Sequence, residues 1–167
     1  IDFEAGTIEI EGRTYELLDK NFPTVDPAHP YAFSQEEADV MDRLEKAFLN
    51  CEKLQAHMRF LLNKGGLYKV YNQNLLYHGC VPLNQDGTLK SVRIYGRAYK
   101  GKALYEVLES YVRKGFFALD KKERERGKDM MWYIWLHENS PLFGKDKMAT
   151  FERYFLAEKE THREKKN

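Results

Sequence analysis

Between Ser34 and Leu61, apolar residues recur at Val40, Leu44, Ala47, Cys51, Leu54, Met58 and Leu61, in steps of four and three. That spacing puts them all on one face of an α-helix. Ser34 followed three residues later by Glu37 is a capping box, and Phe33 stands where a staple residue would pack. Gly65-Gly66 ends the run. The pattern predicts one long helix whose stripe packs against a sheet or another helix. Cys51 and Met58 then read as core filler, and His57 as a flanking surface group.

The rest of the chain reads as short strands and further helical segments. Thr7-Ile8-Glu9-Ile10 and Arg13-Thr14-Tyr15-Glu16-Leu17 alternate with period two around Glu11-Gly12, which predicts a β-hairpin. Pro23, Pro27 and Pro30 break regular structure between Asn21 and Pro30, so residues 1–33 read as a hairpin and a proline-rich linker. A second hairpin is expected from strands near Tyr68–Tyr71 and Leu75–His78, turned by Asn72-Gln73-Asn74. Its second strand is nearly all apolar and is expected to be the more buried. Asn84-Gln85-Asp86-Gly87 reads as a turn, Thr88 to Ile94 as a strand, and Tyr95-Gly96 as a turn before Arg97-Ala98-Tyr99. A helix from about Lys102 to Leu119 buries Leu104, Val107, Leu108, Tyr111, Val112 and Phe116, with Gly115 weakening its last turn. Asp120 to Lys128 is a mixed-charge helix start or connection. Asp129 to Leu136 is aromatic enough to predict a helix buried on most sides. The class is mixed α and β (α/β in the broad sense, α+β in detail), with β-hairpins and three or four helices.

Composition excludes several functions. The 27 basic residues nearly balance the 26 acidic ones, so no global field favours nucleic acid. Arg97, Lys100 and Lys102 near Tyr95 and Tyr99 are the weakest of starts for such a role. The 167 residues suffice for a sizeable core, and 11 Tyr, 10 Phe and 2 Trp can fill it. Cys51 and Cys80 stand far apart in different elements, which favours a reducing cytoplasm over a disulfide framework. No apolar run is long enough to span a bilayer, and no signal peptide is visible. The chain opens at Ile1 without Met and closes in a charged run, so it is expected to be an internal piece of a longer protein.

Chemistry is sought first in Asn74-Leu75-Leu76-Tyr77-His78-Gly79-Cys80-Val81-Pro82-Leu83. A short apolar strand delivers one imidazole, His78, at its end, and Gly79 lets the backbone turn beside it. On spacing alone, a core histidine bonded to a backbone carbonyl is the plainer alternative. His137-Glu138 fails the zinc-protease pattern because no second His follows at the required spacing. Gly144-Lys145-Asp146 fails the phosphate-loop pattern, having Asn139 for the leading Gly and Asp146 for the Ser or Thr. A polar loop from Asn139 to Lys145 survives, followed by Arg153 and then Lys159, Thr161, His162 and Arg163. Lys145 and Arg153 can hold phosphate oxygens, as a point charge and a bidentate fork respectively. Ordinary surface charge is the alternative.

The stretches Leu75–Leu83, Ser140–Met148 and Thr150–Phe155, continued by Glu160-Thr161-His162 and Glu164–Asn167, resemble class III fructose-1,6-bisphosphatase of bacteria over essentially the whole chain. That family is similar to calcineurin-like metallophosphatases. The resemblance implies a metallophosphatase-type sheet with helices. It implies His78 as a ligand to Mn²⁺ in a two-metal centre, and a sugar bisphosphate as substrate. Arg153 or Lys145 would neutralise charge on the phosphate, and His162 would protonate the leaving sugar oxygen. The family's other metal signatures, Asp-x-His, Gly-Asp-x-x-Asp, Gly-Asn-His and a late Gly-His, are absent from this sequence. One imidazole cannot hold two metals, so these 167 residues alone are expected to be inactive, their partner being the remainder of the same chain. Homo-oligomerisation stays open. Two alternatives stand beside this reading: a phosphoprotein phosphatase core, and a non-catalytic regulatory or interaction module.

Overall fold

The computed structural model describes residues 1–158 and 165. It divides into two compact units. The first comprises Ile1–Phe60 and the described part of Ala149–Arg163, and the second comprises Leu61–Met148 with Lys165. Among the described residues there are five helices and six strands, and the strands pair only as three antiparallel two-stranded sheets. The mixed α and β class holds, with more helices than expected.

In the first unit, β1 (Thr7–Ile10) and β2 (Arg13–Glu16) form the expected hairpin, Ile8 opposite Tyr15. Glu11 and Gly12 both take positive φ, +52° and +77°, the two-residue turn that matches strand twist. Beyond β2, Leu17 bridges Leu156, and the Leu18 amide donates to the Phe155 carbonyl at 2.7 Å. The hairpin is thereby joined to α5 (Thr150–Phe155), a short helix that the periodicity did not reveal. Leu17, Ala149 and Leu156 are buried there. The proline-rich linker has no regular structure, as expected.

The capping box is present as read. Ser34 Oγ accepts from the Glu37 amide at 3.2 Å, and Glu37 Oε2 accepts from the Ser34 amide at 2.9 Å. Thr24 adds a 2.6 Å bond to Glu37 Oε1. Together these bonds, the Thr24 one first, hold the Glu37 carboxyl below its ordinary pKa. The long helix, however, is two: α1 (Gln35–Leu49) and α2 (Glu52–Lys64), interrupted at Asn50-Cys51. Neither buries a residue. Val40, Leu44 and Leu61 are exposed, and so is Cys51, which is not core filler. Periodicity establishes that a face is apolar; it does not supply the surface that covers it.

The second unit is built on a helical hairpin. Its helices are α3 (Lys102–Phe117) and α4 (Lys121–Leu136), the latter capped by Asp120, whose Oδ1 accepts from the Glu123 amide at 2.8 Å. Leu104, Leu108, Met130 and Ile134 form the core with Val92 and Ile94 of β5 (Val92–Ile94). Burying each such side chain contributes about 1.5–3 kcal/mol. Strand β6 (Arg97–Tyr99) pairs with β5 through Tyr95-Gly96, both at positive φ. Thr88–Ser91 lie outside the strand that the sequence predicted to begin there. Arg113 ties α3 to the end of α2. Its Nε and Nη2 donate to the Leu62 and Gly65 carbonyls, both at 2.9 Å, and its Nη1 pairs with Glu109 at 2.9 Å. It thus satisfies carbonyls that a helix C-terminus leaves without partners.

Two expectations for this unit are overturned. Strand β4 (Asn74–Tyr77) is exposed throughout, while Tyr68 of its partner β3 (Tyr68–Tyr71) is half-buried. Helix α4 is buried along one line only: Trp132 and Trp135 are 71% and 62% exposed. Its apolar run is too long for the single face that α3 covers.

The helices approach most closely at Gly115 and Gly127. A Cβ on Gly127 would collide with the Gly115 backbone N and Cα, and one on Gly115 would lie 2.9 Å from the Gly127 carbonyl carbon. Gly→Ala inside a helix ordinarily stabilises, by about 0.5–1 kcal/mol. Gly127→Ala should reverse that sign and destabilise by about 1–3 kcal/mol, because the added methyl pushes the helices apart. Thermal or urea unfolding of the variant checks this, and a stabilised protein would contradict the close crossing.

Candidate functional site

The stretch Leu75–Tyr77 lies on β4, in register with β3: Tyr68 opposite Tyr77 and Val70 opposite Leu75. Asn72 and Gln73 turn the hairpin with φ of +49° and +64°, and the strand ends one residue short of His78. His78 is exposed, so it is not the core histidine of the plainer alternative.

The backbone just beyond His78 is tightly held. A Cβ on Gly79 would stand 2.5 Å from the Pro141 carbonyl oxygen and 2.6 Å from that of Leu142. The Cys80 amide donates to the Pro141 carbonyl at 2.9 Å, and the Cys80 thiol to the Ser140 carbonyl at 3.6 Å. Gly144, at φ +63°, brings the far end of the same loop against Gly79. Two of the stretches that carried the family resemblance, Leu75–Leu83 and Ser140–Met148, are therefore in direct backbone contact, although some sixty residues separate them in sequence.

Ser140 organises the loop. It is fully buried; its Oγ donates to the Ile134 carbonyl at 2.6 Å and accepts from the Leu142 and Phe143 amides at 3.1 and 3.3 Å. A hydroxyl has one proton and two lone pairs, so this set uses its capacity in full. From the other side, Tyr105 of α3, only 4% exposed, donates its hydroxyl to the Cys80 carbonyl at 2.7 Å. Its ring meets Tyr68 edge-on at 5.6 Å. Neither role had a sequence signal. Tyr105 fell outside the apolar stripe read for its helix, and Ser140 read as one polar loop residue among several.

Burial pushes the Cys80 thiol up, against a smaller lowering by the Gly144 amide. That shift disfavours the thiolate, the reactive form of a cysteine. His137 accepts the Asn139 amide at Nδ1 (3.1 Å) and stacks on Tyr133 at 4.3 Å. It closes the end of α4.

Lys145 lies in the second unit with His78, at the end of the loop that supports Gly79. Its Nζ sits 5.8 Å from the Phe143 ring centroid, within cation–π range. Arg153 is exposed on α5 in the first unit, and His162 lies outside the described residues. Among the described residues no group of three or more His, Cys, Asp or Glu side chains could hold a metal ion. His78 can supply one donor, but a divalent ion needs four or more. No described helix is long and apolar enough to cross a membrane.

Gly79→Ala should disrupt this arrangement, since the methyl would meet two carbonyl oxygens rather than a movable side chain. A loss of about 1–3 kcal/mol is expected in denaturant unfolding, and an unchanged midpoint would contradict the contact. Burial also pushes Tyr105 and Tyr133 up to about 12 from the ordinary 10.0. Their raised pKa values contribute stability that is complete below pH 10.0 and is lost as pH rises towards about 12, because the unfolded chain gives up phenolic protons first. Unfolding midpoints across that window should fall with pH, and Tyr105→Phe should flatten the fall; an equally steep fall in that variant would contradict the assignment.

Comparison with known proteins identifies the family to which the chain belongs. The family model described as Firmicute fructose-1,6-bisphosphatase matches residues 1–167. The chain is 53% identical over 168 residues to the class 3 fructose-1,6-bisphosphatase of Clostridioides difficile (strain 630), 49% over 168 to that of Clostridium botulinum (strain Loch Maree / Type A3), and 47% over 167 to one from Clostridium beijerinckii. Each alignment covers 100% of this chain and 25% of the relative. The chain thus spans about a quarter of the length of the curated relatives it matches. No solved structure matches it. With its whole length matched, the chain belongs to the Firmicute fructose-1,6-bisphosphatase family.

Proposed function

We propose that this chain is one part of a cytoplasmic fructose-1,6-bisphosphatase that hydrolyses the 1-phosphate of fructose 1,6-bisphosphate to leave fructose 6-phosphate, a gluconeogenic step. The observation that carries the proposal is the family match over residues 1–167, joined to the packing of its two most telling segments against each other at Gly79.

Within that enzyme these residues bind and position. His78 offers an exposed imidazole from a backbone held on both sides, by the strand pairing of Tyr77 and by the Gly79–Cys80 contacts. In the whole protein it serves as one ligand to Mn²⁺. A neutral imidazole suits a borderline divalent ion, and the other ligands must come from beyond this donor set. Lys145 and Arg153 meet phosphate oxygens, Arg153 by a two-pronged fork, and His162 gives a proton to the departing sugar oxygen. A rigid backbone under a ligand matters because small displacements of a reacting group are costly in rate.

The test compares phosphate release from fructose 1,6-bisphosphate and from a phosphopeptide by the intact polypeptide and by these residues alone. The intact polypeptide should hydrolyse the sugar bisphosphate, and the isolated chain should be inactive. Preference for the phosphopeptide would favour a phosphoprotein phosphatase instead. In the intact polypeptide, His78→Ala should lower turnover and bound Mn²⁺ together; unchanged Mn²⁺ stoichiometry would rule out the ligand role.

A further inference from the structure

Immediately behind the His78 turn, the backbone bends again around a cleft of about 460 Å³ lined by Tyr77, Cys80, Pro82, Lys90, Glu138 and Asn139. A cavity of that size accommodates a small phosphorylated metabolite. Its lining includes Tyr77 and Gly79, the two neighbours of the residue proposed to face the reaction, and its cation, Lys90, lies outside every sequence motif named above.

Lys90 is set in place by its backbone. The Asn84 amide donates to the Thr88 carbonyl at 2.8 Å, Leu83 bridges Leu89, and the Lys90 amide donates to the Pro82 carbonyl at 3.0 Å. Asp86 braces the turn, accepting from the Thr88 amide and hydroxyl at 2.9 and 2.6 Å. Lys90 thus sits on a clamped loop, half-buried, lines the cleft, and forms no salt bridge with a described carboxylate. The other lining groups are of a different kind. The Asn139 amide and Glu138 carboxylate suit hydroxyl groups, and the Tyr77 ring suits the apolar face of a sugar. The Asn139 amide donates to Glu138 Oε1 at 3.3 Å; the carboxylate repels a phosphate, which leaves Lys90 as the lining group suited to hold one.

We propose that this cleft is the subsite for the sugar and for the phosphate that survives the reaction, with Lys90 as the cation that holds that phosphate. The assignment rests on the bisphosphatase reading and adds to it the group that distinguishes a bisphosphate from a monophosphate. Lys90 acts as a specificity residue: it contacts the phosphate that stays, away from the bond that breaks.

The experiment uses the intact polypeptide with Lys90→Gln, and Lys90→Arg as a control that keeps the charge. Each is assayed on fructose 1,6-bisphosphate and on fructose 1-phosphate, which lacks the surviving phosphate. Where turnover of the monophosphate is too slow, its competitive inhibition constant replaces kcat/KM. Lys90→Gln should lower kcat/KM for the bisphosphate about 10- to 100-fold, the range expected for a lost charge-assisted hydrogen bond, mainly through KM. The monophosphate should change less than about twofold, and Lys90→Arg should recover most of the loss. Equal losses on both substrates, or no loss on either, would overturn the subsite. A wild-type polypeptide that hydrolyses neither sugar phosphate would instead overturn the bisphosphatase reading, and the subsite with it.

Discussion

The second unit depends on a steric allowance at one backbone atom. Where the chain leaves β4, Gly79 lies so near the Pro141 and Leu142 carbonyls that no side chain fits between them. That approach lets the Cys80 amide reach the Pro141 carbonyl and sets the polar loop beneath His78. The loop can accept the approach because Ser140 has already folded it, bonding the last turn of α4 on one side and two loop amides on the other. Tyr105 closes the third side from α3. Each bond contributes only about 0.5–1.5 kcal/mol net. Their collective effect is geometric, fixing the backbone on both sides of one exposed imidazole.

Glycine is used in the same way at the α3–α4 crossing. Gly115 and Gly127 let two helix backbones meet closely enough for Leu104, Leu108, Met130 and Ile134 to form one core with Val92 and Ile94. In an isolated helix either glycine is a loss, which is why Gly115 read as a weakness. In the hairpin the cost is offset by packing, and the Lys114–Glu123 ion pair at 2.6 Å bridges the two helices nearby.

The exposed apolar surface has a different origin. Val40, Leu44, Phe48, Phe60 and Leu61 of α1 and α2, and Leu75 and Leu76 of β4, are open to solvent. Soluble monomers rarely leave patches of this kind uncovered. The relatives are about four times as long as this chain, which covers 25% of them. A stripe written into the sequence for burial therefore need not find its cover within these residues.

Local rules carried much of the architecture. The Ser34–Glu37 capping box, the Glu11-Gly12, Asn72-Gln73 and Tyr95-Gly96 turns, and the helix beginning at Lys102 all follow from spacing and turn chemistry, because those signals act over a few neighbouring residues. The family was legible for a related reason: Leu75–Leu83 and Ser140–Met148 are idiosyncratic strings, recognisable without coordinates. Three-dimensional packing decided the rest. It exposed β4 and the tryptophans of α4, split the long helix at Asn50-Cys51, and turned Tyr105 and Ser140 into the supports of His78. Burial and hydrogen-bond partnership are set by residues distant along the chain, and no period or motif records which distant residue will arrive.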